Sequence, residues 1–132
     1  MDHIAVRLRP GQDLNKEINQ LIENRGIKAA CILTCVGSLT RAVLRFANQE
    51  NTETLNGHFE IVSLTGVLST EGSHCHIAIA DEKGTTFGAH LMDGCLVYTT
   101  AEIVIGILPD CSFMRTLDPQ TGYPELDIVY SK

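Results

Sequence analysis

The chain contains no tryptophan, and aromatic residues make up only 5% of it, although 44% of its residues are hydrophobic. Aliphatic and β-branched side chains must therefore fill the core, and these suit pleated, half-buried surfaces. Basic residues are also scarce: ten Lys and Arg stand against sixteen Asp and Glu, a net charge of −6. Affinity for a nucleic-acid backbone comes from clustered Lys and Arg that displace counterions, so direct nucleic-acid binding is not expected. The densest basic stretch, RLR at 7–9, alternates like the outer face of a strand. No apolar run approaches the roughly 20 residues of a membrane span, so no membrane association is expected. The N-terminal MDHIAVRLRPG lacks the apolar segment of a secretory signal. Cys31, Cys35, Cys75, Cys95 and Cys111 are odd in number and sit mostly in apolar runs. They read as reduced core thiols of a cytoplasmic protein, and Cys31-x3-Cys35 lacks the CxxC spacing of metal and redox motifs.

What is present is mostly strand. The 132 residues have the length of a single domain spanning 1–132. HIAVRLR at 3–9 alternates and is stopped by Pro10-Gly11. A helix follows: Asp13 is a good N-cap, Leu14, Ile18, Leu21 and Ile22 recur at helical spacing, and Gly26 suits a C-terminal stop. AACILTCVG at 29–37 and TRAVLRFA at 40–47 read as two strands, and the polar ANQENTETLNG at 47–57 as a loop. HFEIVSLTGVLS at 58–69 is a long strand in which Gly66 marks a bulge or a close backbone approach. SHCHIAIAD and TTFGAHL are two more strands, GCLVYTTAEIVIGIL at 94–108 holds one or two, and LDIVY at 126–130 closes the chain. The expected fold is α+β: one compact domain, a mainly antiparallel or mixed sheet of about seven strands, and one covering helix.

The chemistry concentrates in GSHCHIAIADEKGTTFGAHLMDG at 72–94, which holds three of the five histidines. On a strand, residues two apart face the same side, so His74 and His76 point away from Cys75, Ile77 and Ile79. If Glu82-Lys83-Gly84 forms a three-residue hairpin loop with Gly84 at positive φ, Asp81 pairs with Thr85 and His76 lies opposite His90. A loop one residue shorter or longer would turn His90 to the other face. Three converging neutral imidazoles suit zinc and leave its fourth position for water or a ligand. Ala78, Gly88 and Ala89 leave room beside them.

CVGSLTRAVLRFA at 35–47, GHFEIVSLTGVLS at 57–69, SHCHIAIADEKGTTFGAHL at 73–91 and TTAEIVIGIL at 99–108 together resemble the plant-and-prokaryote conserved (PPC) domain. The resemblance covers nearly the whole chain and implies a homotrimer. In plants the domain is joined to AT-hooks, whose RGRP-type core this sequence lacks; Leu8 stands where Arg7-Leu8-Arg9-Pro10 would need glycine. Plant members generally lack the histidines that this sequence keeps. The fold is also similar to that of α-acetolactate decarboxylase, which holds zinc with an HxH pair and a further histidine and adds an arginine and carboxylates. By that analogy Arg41, Arg45, Glu60 and Glu102 are candidates for handling substrate charge and protons.

Arg41 and Arg45 are able to clamp a small anionic ligand, since guanidinium binds carboxylate or phosphate in a fork. Glu60, between Phe59 and Ile61, is the candidate proton carrier if its apolar neighbours bury it and raise its pKa. The primary expectation is a homotrimeric domain that binds zinc through His74, His76 and His90, serving ligand sensing or scaffolding. Two alternatives stand beside it. One is a zinc-dependent lyase or hydrolase acting on a small carboxylate, with Glu60 and Arg41 as catalytic residues. The other is a DNA-associated regulator that acts through a partner.

Overall fold

The structure, a computed structural model, describes residues 2–131. Its elements run β1 (Asp2–Leu8), α1 (Leu14–Arg25), β2 (Ala30–Arg45), β3 (Glu53–Leu68), β4 (His74–Ala80), β5 (Thr86–Leu91), β6 (Leu96–Ile107), β7 (Cys111–Leu117) and β8 (Pro124–Tyr130). Six strands form one sheet in the order β1-β6-β2-β3-β4-β5, and β7 and β8 pair as a separate hairpin. Every pairing is antiparallel. The α+β class with a mainly antiparallel sheet and a single helix agrees with the expectation from the sequence.

The helix forms for local reasons. Asp13 is extended at the N-cap, and its Oδ1 accepts from the Lys16 backbone N–H at 3.0 Å. Its Oδ2 accepts from the Gly94 backbone N–H at 2.7 Å, which ties the helix start to the entry of β6. Gly26 ends the helix in the left-handed conformation, φ 60°. Leu14, Ile18 and Ile22 are buried at four-residue spacing and join the main core. Each such side chain contributes about 1.5–3 kcal/mol on burial.

β2 and β3 are longer than the sequence implied. The two strands expected at 29–37 and 40–47 are one: β2 runs through Gly37 and Ser38, paired with β3 on one side and β6 on the other. Gly37 is needed because a Cβ there would collide with the Thr100 carbonyl and Ala101 on β6. Residues 53–57, polar enough to read as loop, are the start of β3, and 53–56 pair with β2 from Arg41 to Leu44. Gly66 is the close approach rather than a bulge: it stays in register with Cys75, and a Cβ would strike the Cys75 sulfur. The irregularity in this ladder lies between Ile61 and Ser63. β7 was not expected, although Cys111 and Phe113 are buried at strand spacing.

The far end of β2 also pairs with β5, through Leu44 with Leu91 and Arg45 with His90. The run β2-β3-β4-β5 thus curls until its last strand meets its first. All five cysteines are free, and Cys35, Cys75, Cys95 and Cys111 are buried. Burial, then the Glu102 carboxylate, pushes the Cys35 thiol up to about 11, and burial alone does the same for Cys75. Among the described residues no helix is long and apolar enough to cross a membrane.

Candidate metal centre

β4 alternates between the core and the surface. Cys75, Ile77 and Ile79 are buried, which leaves His74 and His76 on the outer face. The turn after β4 sets the position of the third histidine. The Asp81 N–H donates to the Thr85 carbonyl at 2.9 Å, and the Asp81 Oδ1 accepts from the N–H groups of Lys83 and Thr85. Gly84 takes φ 80°, the left-handed conformation that a three-residue hairpin loop places in its glycine. The ladder then runs Ala80 with Thr86, Ala78 with Gly88, and His76 with His90.

The three rings meet on that face. Their centroids lie 4.6 Å apart for His76 and His90, 4.9 Å for His74 and His76, and 5.5 Å for His74 and His90. One ligand nitrogen from each ring falls within 4.8 Å of the others. Nitrogens held tetrahedrally at the usual zinc distance are roughly 3.3 Å apart. His74 and His76 are exposed and His90 is half-buried, which leaves the rings freer to turn than core side chains. The donor set is chemically suited to zinc, cobalt or nickel, and three ligands leave an open position.

Burial and neighbouring positive charge lower the pKa of two of the rings, which favours the neutral form that offers a lone pair. Burial lowers the His74 pKa first, then the neighbouring His76, Arg115 and Arg45, with Glu125 opposing. Burial also leads for His90, followed by Arg45, His76 and His74. Arg45 faces this site because the closing contact of β5 on β2 sets it beside His90.

The other candidate residues lie apart from the histidines. Arg41 Nε donates to the Gly94 carbonyl at 3.0 Å, at the entry to β6. Glu60 is not buried: strand parity turns Phe59 and Ile61 inward and leaves the carboxylate exposed. Glu60 pairs with Ala80, four residues from His76 along β4, which is roughly 13 Å at strand spacing. It lines a different cleft of ≈ 510 Å³ with His58, Tyr98 and Ser38. Glu102 is exposed on β6, opposite Arg7 and Val36, and accepts from the Thr100 hydroxyl at 3.2 Å.

Beside the histidines is a cavity of ≈ 720 Å³ that His74 and His90 share with Arg45, Ser73, Arg115 and Tyr123. Arg115 and Tyr123 come from the β7–β8 hairpin and its turn, which the sequence could not place. The sequence marked LDIVY at 126–130 as a strand, now part of β8, but not its partner β7 nor the place where the hairpin sits.

Fold and site describe a small antiparallel β domain that carries a surface cluster of three histidines. The chain belongs to the Plants and Prokaryotes Conserved (PCC) domain family, whose model matches residues 1–109. It is 46% identical over 123 residues to the bifunctional protein GlmU of a Synechococcus strain, a match covering 93% of this chain and 20% of that protein. It is 30% identical to the AT-hook motif nuclear-localized protein 13 of Arabidopsis thaliana, over 80% of this chain and 27% of that protein. The chain thus spans about a fifth to a quarter of these relatives. Among solved structures, a hypothetical protein from Salmonella superposes with a TM-score of 0.96 at 43% identity, covering 98% of this chain and 94% of that one. A metal-containing protein from Archaeoglobus fulgidus superposes with a TM-score of 0.81 at 27% identity, covering 96% and 94%.

Proposed function

We propose that this PCC domain is a metal-binding module in which His74, His76 and His90 hold one divalent ion, zinc in preference, for ligand sensing or scaffolding. The observation that carries the reading is the meeting of three imidazole donors within 4.8 Å on the outer face of β4 and β5. It is supported by the similarity to a metal-containing protein of Archaeoglobus fulgidus. Bound zinc would supply Lewis acidity at the open position. The buried, unpaired thiols favour a reducing, cytoplasmic setting.

The working form on this reading is a homotrimer. The β7–β8 hairpin exposes Leu117, Tyr123, Ile128, Val129 and Tyr130, and the main sheet exposes Val36 and Val62. A two-stranded hairpin is marginal alone, and apolar side chains on this scale mark an interface. Metal analysis tests the core of the proposal. About one equivalent of zinc per chain is expected, with His76→Ala losing it, because His76 adjoins both other rings. Full retention in that variant removes the site.

A second reading, a zinc-dependent lyase or hydrolase acting on a small carboxylate, draws on the open coordination position and the adjoining cavity. Arg41 and Glu60 lie apart from the histidines, so this reading requires turnover that depends on His76 without them. A third, a DNA-associated regulator acting through a partner, draws on the AT-hook relatives in Arabidopsis. With no RGRP core and a net charge of −6, the chain alone is expected to bind duplex DNA at about 10⁻⁴ M or weaker.

A further inference from the structure

The cavity beside the histidines holds a set of groups that metal binding does not use. Arg45 and Arg115 approach it from different elements, the closing end of β2 and the outer hairpin, and both are half-buried. Among the described residues neither forms an ion pair; the only one present joins His58 and Glu82 in another cleft. Arg45 Nη1 donates to the Gln49 carbonyl at 3.3 Å, which leaves most of its fork free. Ser73, in the same wall, has a buried hydroxyl oxygen with no hydrogen-bond partner. A buried hydroxyl left unpaired is costly, and one at a cavity wall is satisfied when a ligand fills the cavity and the side chain turns to it.

Glu71 and Glu125 also border the cavity, both exposed at its rim. They balance the two arginines, so the acidic and basic side chains lining the cavity sum to zero. A divalent ion on the histidines would leave it two positive charges in excess. Two sources of positive charge then line one cavity: the metal position at His74 and His90, and the guanidinium groups of Arg45, beside His90, and Arg115, from the outer hairpin.

We infer that this cavity binds a small organic dianion of the dicarboxylate class, with one carboxylate toward the metal and the other held by Arg45 and Arg115. The inference rests on the reading of the histidines as metal ligands. It places anion recognition on Arg45 and Arg115 rather than on Arg41, whose Nε is bonded to Gly94. Because the metal supplies the excess charge, ligand and metal are coupled, and each must tighten the other by the same factor.

Malonate is a suitable probe, with acetate as the one-carboxylate control. Calorimetry should show malonate binding to the zinc-loaded chain, much weaker binding to the metal-free chain, and weak binding of acetate. Arg45→Ala and Arg115→Ala should each weaken malonate by about tenfold or more, the loss of a charge-assisted hydrogen bond, while keeping zinc at wild-type stoichiometry. Arg45→Lys and Arg115→Lys, which keep charge but lose the fork, should fall between. In a chelator competition, malonate should raise zinc affinity by the factor by which zinc raises malonate affinity. Malonate binding that ignores the metal, or survives both arginine substitutions unchanged, overturns the inference and leaves the metal site standing. A wild-type chain that takes up no zinc removes both together.

Discussion

His76 stands directly opposite His90 in the β4–β5 ladder, their ring centroids 4.6 Å apart, and a three-residue turn is what keeps them there. Deleting Lys83 shortens that turn and moves the register by one position, so His90 faces the other side. The deletion should abolish metal uptake. Gly84→Ala keeps the length and should retain the metal, at a stability loss of about 1–2 kcal/mol for a side chain at positive φ. Equal metal content in the two variants would show that the turn does not set the site.

Gly66 lies in register with Cys75, between His74 and His76 of β4, where a Cβ would meet the Cys75 sulfur. Gly66→Ala should therefore cost about 1–3 kcal/mol, the usual range for overpacking. Urea denaturation reads this loss. Adding Cys75→Ala removes the sulfur and should recover part of it, so the two substitutions will be less than additive.

Cys35 and Cys75 have thiols raised from 9.0 to about 11 in the folded chain. Folding therefore favours their protonated forms. Their contribution to stability is fully present below pH 9 and is lost as pH rises through about 11. The melting temperature should fall across that window, and less so in Cys35→Ala/Cys75→Ala after allowance for the lost packing. Neither thiol should react with an alkylating reagent at neutral pH unless the chain is unfolded.

Ile128 and Tyr130 are exposed on β8, where nothing in the single chain covers them. If the hairpin seats on a second copy, Ile128→Asp should break the trimer with little change in the circular dichroism of the chain. Light scattering measures this directly: about three times 14.4 kDa for the wild type, and a lower mass for the variant. A wild-type monomer at micromolar concentration would contradict the proposed assembly.

The main features of the histidine cluster were legible in the sequence because they depend on short-range geometry. Alternation on a strand has a period of two, and the DEKG turn carries its own glycine and its own Asx contacts. Together these put His74, His76 and His90 on one face before any tertiary contact is known. The helix was legible for the same reason, since Asp13 and Gly26 mark its ends locally.

Other features depended on which strands become neighbours. The polar residues 53–57 read as loop because an exposed strand and a loop share a composition, and only pairing with β2 tells them apart. Gly37 read as the end of a strand because a residue without a side chain does not reveal what approaches it. Glu60 shares its strand with apolar neighbours, yet parity exposes it and β3–β4 pairing sets it beside Ala80 rather than His76.

The sequence by itself determined the donors: three imidazoles on one face, specified by strand parity and one turn. Tertiary structure decided what stands around them. Arg45 rather than Arg41 reaches the site because β5 closes onto the end of β2, and Arg115 arrives on a hairpin from the far end of the chain. Contacts of that kind depend on how the sheet curls and where a separate hairpin docks, and no periodicity within a single segment encodes either.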